Sequence, residues 1–138
     1  MQTSPNGVQF IAGFEGFAAM PYNDNGHLAW GYGHDQQPGE PEPASVTKLE
    51  AMLLLEEDVA RRDAQMAPLM PTDCTQNQWD ACASFTYNLG IGALRQMLAH
   101  GWEQVPVQMP RWNHKNGVVN DALTKRRAAE VALFNTPE

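Results

Sequence analysis

Glu15 stands between Phe14 and Phe17 in the stretch FEGFAAMPYNDNGHLAWGYGH (residues 14–34), and Asp24 follows in the turn sequence YNDNG. Two carboxylates in such different surroundings are the equipment of glycosidic bond cleavage. One must be a carboxylic acid that protonates the leaving oxygen, and the other handles water or the developing positive charge on the sugar. Apolar neighbours penalise an ionised carboxyl, so the Phe14–Phe17 setting suits Glu15 to the acid's task. Asp24, among Asn23, Asn25 and Gly26, is placed to stay hydrated and ionised. A glutamate at a helix end and an aspartate in a turn also occur without any chemistry, so the pair gains meaning only from the elements that carry it.

Those elements are mostly helices. Ser4-Pro5 forms an N-cap and first-turn pair, with Val8, Ile11 and Phe14 following at helical spacing. Thr47-x-x-Glu50 and Thr75-x-x-Gln78 are capping boxes. The first opens a helix to about residue 65; the second opens one with Trp79, Cys82, Ala83 and Tyr87 on one face, ended by NLGIG. Further helices are predicted over about 93–100, 102–109 (weakened by Pro106) and 121–134. The pattern changes only at residues 17–34, where an Asn/Asp/Gly cluster flanked by Tyr22, Leu28, Trp30 and Tyr32 predicts a β-hairpin. DQQPGEPEPAS (35–45) reads as a surface loop. The expected fold is therefore α+β and mainly helical. The first helix delivers Glu15 to the edge of a hairpin that carries Asp24, and a cleft between the two parts would hold both.

The 138 residues suit one domain over 1–138, and 43% hydrophobic with 18% charged residues is a globular composition. No apolar run is long enough to span a bilayer, and MQTSPNGVQFIAGFEGF lacks the basic start and small-residue cleavage site of a signal peptide. A net charge of −7 excludes the basic face of a nucleic-acid binder. Cys74 and Cys82 make no disulfide framework. The four histidines (27, 34, 100 and 114) have no ligand spacing, so neither metal nor cofactor is expected. GYG lacks the spacing of a phosphate loop. Trp79, Trp102 and Trp112 read as core anchors; Trp30, beside the turn, is a candidate sugar contact as well as a core residue.

The ordered set Glu15-Gly16, Tyr22-Asn23-Asp24, Gly26 and Gly31-Tyr32-Gly33-His34 resembles the N-terminal signature of the phage-type lysozymes, glycoside hydrolase family 24. The resemblance continues through Asp58 in EEDV, TQNQWDACASFTYNLGIG (75–92), RWNHKNG (111–117) and LTKRRAAEVALF (123–134), nearly the whole chain. It implies a two-lobed lysozyme-like fold and hydrolysis of the β-1,4 bond between N-acetylmuramic acid and N-acetylglucosamine in peptidoglycan. It further implies Glu15 as general acid, Asp24 as its partner on the other face, and an arginine approaching the glutamate, for which Arg126 is the choice. Both Arg126 and Arg127 could equally be solvated helix charges. His34 and Asp58 are expected to pair, raising the His pKa, lowering the Asp pKa and tying the lobes. Gly33 is expected to let backbone approach glycan or helix closely.

One position departs from the pattern. Ala29 occupies the place of a threonine that in the family helps hold the attacking water, and a methyl group neither donates nor accepts a hydrogen bond. Three outcomes stay open: weaker hydrolysis by Asp24 alone, substitution by His27 or Asn25, or ring closure by the sugar's own hydroxyl, as in a lytic transglycosylase. A wall-binding module without catalysis is the competing function, supported by Ala29 and the acidic charge but opposed by the presence of Glu15 and Asp24. The partner implied is the peptidoglycan glycan strand, met by a monomer with no nucleic acid and no membrane insertion. The resemblance implies an endolysin held in the host cytoplasm until holin-dependent release onto the periplasmic wall.

Overall fold

Ser4 begins the first helix as its hydroxyl allows: Ser4 Oγ accepts from the Gly7 amide at 3.0 Å. In the computed structural model, which describes residues 1–138, α1 spans Pro5–Glu15 and stops where Gly16 takes φ 73°. Such a φ costs a side-chain-bearing residue but not glycine. Thus the chain turns out of the helix directly after Glu15.

Strands β1 (Ala18–Asp24), β2 (His27–Gly31) and β3 (His34–Asp35) form an antiparallel sheet in that order. Asn25 (φ 52°) and Gly26 (φ 94°) close the β1–β2 turn, the positive-φ pair that matches strand twist. The expected hairpin is thus extended by a third short strand, in which His34 pairs with Trp30 and Asp35 with Ala29. The register of β1 slips between Ala18 and Tyr22, where Pro21 has no N–H to give to the ladder.

The helical remainder comprises α2 (Lys48–Met66), α3 (Gln76–Leu89), α4 (Ile91–Leu98), α5 (Val105–Gln108) and α6 (Asp121–Phe134). Both predicted capping boxes form. The helix expected over 102–109 is instead a four-residue helix between single 3₁₀ turns, because Pro106 and Pro110 each fit only the start of a helical turn. A second hairpin, β4 (His114–Lys115) with β5 (Val118–Val119), turns at Asn116 and Gly117.

Helix α3 is the centre of the helical lobe. Residues 79–86 are all buried, and α1, α2, α4 and α6 pack around it. Its composition of small residues with Trp79 and Phe85 permits this close approach. At Gly7 of α1, an added Cβ would lie 2.6 Å from Asp80 Cγ. Asp80 accepts from the Ser4 amide at 2.9 Å and from its hydroxyl. Asp63 accepts from Thr3 and, at 2.8 Å, from Trp79 Nε1. Trp30, Val46 and Ala51 make a smaller core beneath the sheet. Helix α2 touches β2, β3 and α3, so it joins the two lobes. The architecture is the α+β, mainly helical one expected. No helix is long and apolar enough to cross a membrane.

Candidate active site

Side chains paired across an antiparallel ladder share a face, and alternate residues along a strand return to it. Tyr22 pairs with Ala29, Asp24 with His27, and Ala29 with Asp35. The sheet therefore presents Tyr22, Asp24, His27, Ala29 and Asp35 on one face. A cleft of about 380 Å³ opens there, lined by Glu15, Tyr22, Asp24, Gly33, Asp35 and Gln37, by Asp58, Arg61, Arg62 and Gln65 of α2, and by Tyr87 and Asn88 of α3. Of the residues singled out in the sequence, Glu15, Asp24, Gly33 and Asp58 border this space. Ala29 is fully buried on the same face, and Arg126 reaches the cleft through Glu15. Trp30 does not reach it: its ring faces the opposite side, in the small core, 5.2 Å from the His34 ring.

Glu15 ends α1 with its side chain 17% exposed and its Oε2 2.5 Å from Arg126 Nη1. The apolar enclosure expected from Phe14 and Phe17 is not what surrounds the carboxyl. Phe14 lies partly in solvent, its ring 5.5 Å from the Arg126 guanidinium, and Phe17 turns to Tyr32. An ion pair has taken the place of the apolar pocket. Arg126 is itself anchored, donating to Ser84 Oγ at 3.3 Å and to the Ser84 carbonyl at 3.2 Å. Ser84 Oγ donates to Glu130 Oε2 at 2.6 Å. Arg127 lies 2.6 Å from Glu130 Oε1, an ion pair by distance whose angle falls outside hydrogen-bond geometry, and it also donates to Glu130 Oε2 at 3.0 Å and to Asn88 Oδ1 at 2.8 Å. Both arginines are buried, so neither is a solvated helix charge. Glu130 carries no sequence motif; its only signal is its place three and four residues beyond the two arginines on one helix.

Tyr22 stands near both carboxylates. Burial, then the charges of Asp24 and Glu15, raises its hydroxyl pKa, which keeps a donor at the cleft. Asp24 is about half exposed. His27 Nε2 lies 3.8 Å from Asp24 Oδ2 and 3.0 Å from Asp35 Oδ1, while Asn25 Nδ2 reaches Asp24 Oδ1 only at 3.4 Å. Of the two neighbours weighed as substitutes for the absent threonine, His27 is the one braced by a second carboxylate.

Gly33 holds φ 72°, and a Cβ there would lie 2.5 Å from Glu15 Oε1. The predicted close approach is thus to Glu15. Gly33→Ala is expected to cost about 1–2 kcal/mol of stability for the left-handed backbone and to displace the carboxyl. The measurements are thermal melting and wall-fragment release; release at the unmodified rate would contradict the contact.

His34, 3% exposed, places Nδ1 2.8 Å from Asp58 Oδ2 and Nε2 2.8 Å from Glu40 Oε1. The expected pair is therefore a triad, whose third member comes from the Pro-rich stretch read as a plain loop. Burial alone would lower the His34 pKa, but hydrogen bonds to Glu40 and Asp58 hold it above its ordinary 6.5. Asp58 departs from the expected direction: burial raises its pKa, outweighing His34 and Arg61. When protonated, the imidazole has a donor for each of the two carboxylates that face its nitrogens. Because the folded pKa of His34 exceeds the unfolded one, its stabilisation is full below 6.5 and is lost as pH rises through the folded value. The melting temperature should accordingly fall across neutral to mildly alkaline pH more steeply in the native chain than in His34→Gln. Parallel curves would refute the charged triad.

The profile of the phage lysozyme family matches residues 12–130. The endolysin of Bacillus phage PZA is 35% identical over 99% of this chain, which spans 56% of that relative's length. Among solved structures, the muramidase domain of SpmX from Asticaccaulis excentricus superposes with a TM-score of 0.86 at 35% identity, covering 99% of both chains. The endolysin from Escherichia coli O157:H7 phage FAHEc1 does so with a TM-score of 0.84 at 29% identity, covering 100% of this chain and 98% of that one.

Proposed function

Because the chain belongs to the phage lysozyme family, we propose that it is a muramidase, a single domain over 1–138 that cleaves the β-1,4 bond between N-acetylmuramic acid and N-acetylglucosamine in peptidoglycan. The observation that carries this reading is the convergence of Glu15, from a helix end, and Asp24, from a strand end, on one cleft. Glu15 is the general acid. Its Oε2 is engaged by Arg126, which fixes the carboxyl and leaves Oε1 as the oxygen to face the leaving group. Asp24 orients the water on the other face of the sugar. His27, braced by Asp35, supplies beside Asp24 the polar contact that Ala29 cannot. No cofactor or metal takes part in this chemistry.

The protein acts as a monomer on glycan strands, without nucleic acid and without inserting into a membrane. As an endolysin it is held in the host cytoplasm and reaches the periplasmic wall after holin-dependent release.

Ala29 keeps one rival within the same site. If water attack is too slow, the sugar closes on its own hydroxyl and the product is an anhydro-muramic end. Digestion of purified Gram-negative sacculi, with fragments read by mass spectrometry, separates the two. Reducing muramic ends are expected. Anhydro ends would replace hydrolysis with transglycosylation, and binding without release would leave a wall-recognition module.

A further inference from the structure

Arg62 differs from the other cations at the cleft. Arg61 pairs with Asp58, Arg126 with Glu15, His34 with Asp58 and Glu40, and His27 with Asp35. Arg62, on the α2 wall, has no carboxylate partner, although the chain holds 16 acidic against 9 basic residues. A guanidinium offers five N–H donors. Here Nη1 reaches only the neutral Gln65 Oε1, at 3.3 Å, and Nε is buried with no acceptor. Nε is closed to any ligand, so the donors a ligand can reach are the Nη groups, of which Nη2 has no acceptor within the chain. A planar carboxylate is the ligand that a guanidinium fork satisfies best.

We propose that Arg62 binds a carboxylate of the peptide stem borne by the muramic sugar, so that the cleft reads the stem as well as the glycan. The inference rests on peptidoglycan being the substrate. Arg62 is then a specificity-determining residue on the α2 wall of the cleft, and it gives an acidic protein one guanidinium with no carboxylate in contact at the place where the wall's charge arrives.

The test is co-sedimentation of Glu15→Gln, and of Glu15→Gln carrying Arg62→Gln or Arg62→Lys, with two preparations of sacculi. One is native; in the other the free carboxylates have been converted to amides with carbodiimide and ammonia. Arg62→Gln should weaken binding to native sacculi roughly tenfold, the scale of a hydrogen bond to a charged group, and leave binding to amidated sacculi unchanged. Arg62→Lys, which keeps the charge but loses the fork, should fall between. Equal loss on both walls, no loss on either, or no binding to either would overturn the proposal. Fragment release by the unmodified protein reads the muramidase reaction separately. Release with no Arg62 effect removes only the stem contact. Carboxylate-dependent binding through Arg62 without release upholds the contact and removes the hydrolysis.

Discussion

Glu15→Gln should lower the rate of muramic reducing-end release by about 10²–10⁴-fold, the range for loss of a positioned general acid. The substitution keeps the shape of the side chain, and the amide oxygen can still accept from Arg126 Nη1, now 2.5 Å from Glu15 Oε2. What is lost is the transferable proton, so the fall should appear in kcat with KM nearly unchanged. Thermal melting should fall only modestly, because Arg126 keeps the amide oxygen as an acceptor and still has Ser84 and Glu130 beside it. Asp24→Asn gives the contrasting result. Asp24 is about half exposed and has His27 and Asp35 beside it, so a water can still be held there and the loss should be smaller. Initial rates on the same sacculi measure both. A Glu15→Gln enzyme within a few-fold of the native rate would remove Glu15 from the reaction.

The two carboxylates were legible in the sequence because each sits where local chemistry announces an element. Gly16 ends a helix behind Glu15, and Asn25-Gly26 turns a strand behind Asp24. The face they share was legible only in part. That Ala29 lies on it follows from register, which alternation along one strand cannot supply without knowing the partner. Burial escaped the sequence most. Arg126 and Arg127 look the same on paper whether solvated or enclosed, since the enclosing surface comes from α1 and α3, distant in sequence. Glu130, without a motif, could not be told from any helix glutamate. Asp58 shows the same gap in its pKa: the sequence implies the His34 partner, but the loss of water around the carboxylate reverses the direction. Glu40 was hidden by composition, because Pro-rich stretches read as loops with no partner of their own. The β4–β5 hairpin carries the Asn116-Gly117 signal, but its strands are two residues each and present no alternation to detect.

The same buried charges set the largest effect on stability. Glu130 and Arg127 are both fully buried. Burial raises the pKa of Glu130 and lowers that of Arg127, in each case against the pull of the partner. Each charge is tolerated because the other is present. Glu130→Ala removes the acceptor for Arg127 and Ser84 together and leaves a guanidinium enclosed with only Asn88 and the Trp112 carbonyl. Breaking one side of such a pair costs about 3–5 kcal/mol, which for a chain of this size lowers the melting temperature by roughly 10–15 °C. Replacing both partners by methionine should recover most of that loss, since desolvation of the charges disappears with them. Activity should not recover with stability. Arg126 Nε lies 3.5 Å from Glu130 Oε2, and Ser84, which Glu130 orients, holds the guanidinium that engages Glu15. A double variant that melts near the native temperature yet releases wall fragments slowly would assign the network to positioning the acid. One as unstable as Glu130→Ala would show that the charges themselves hold the helices together.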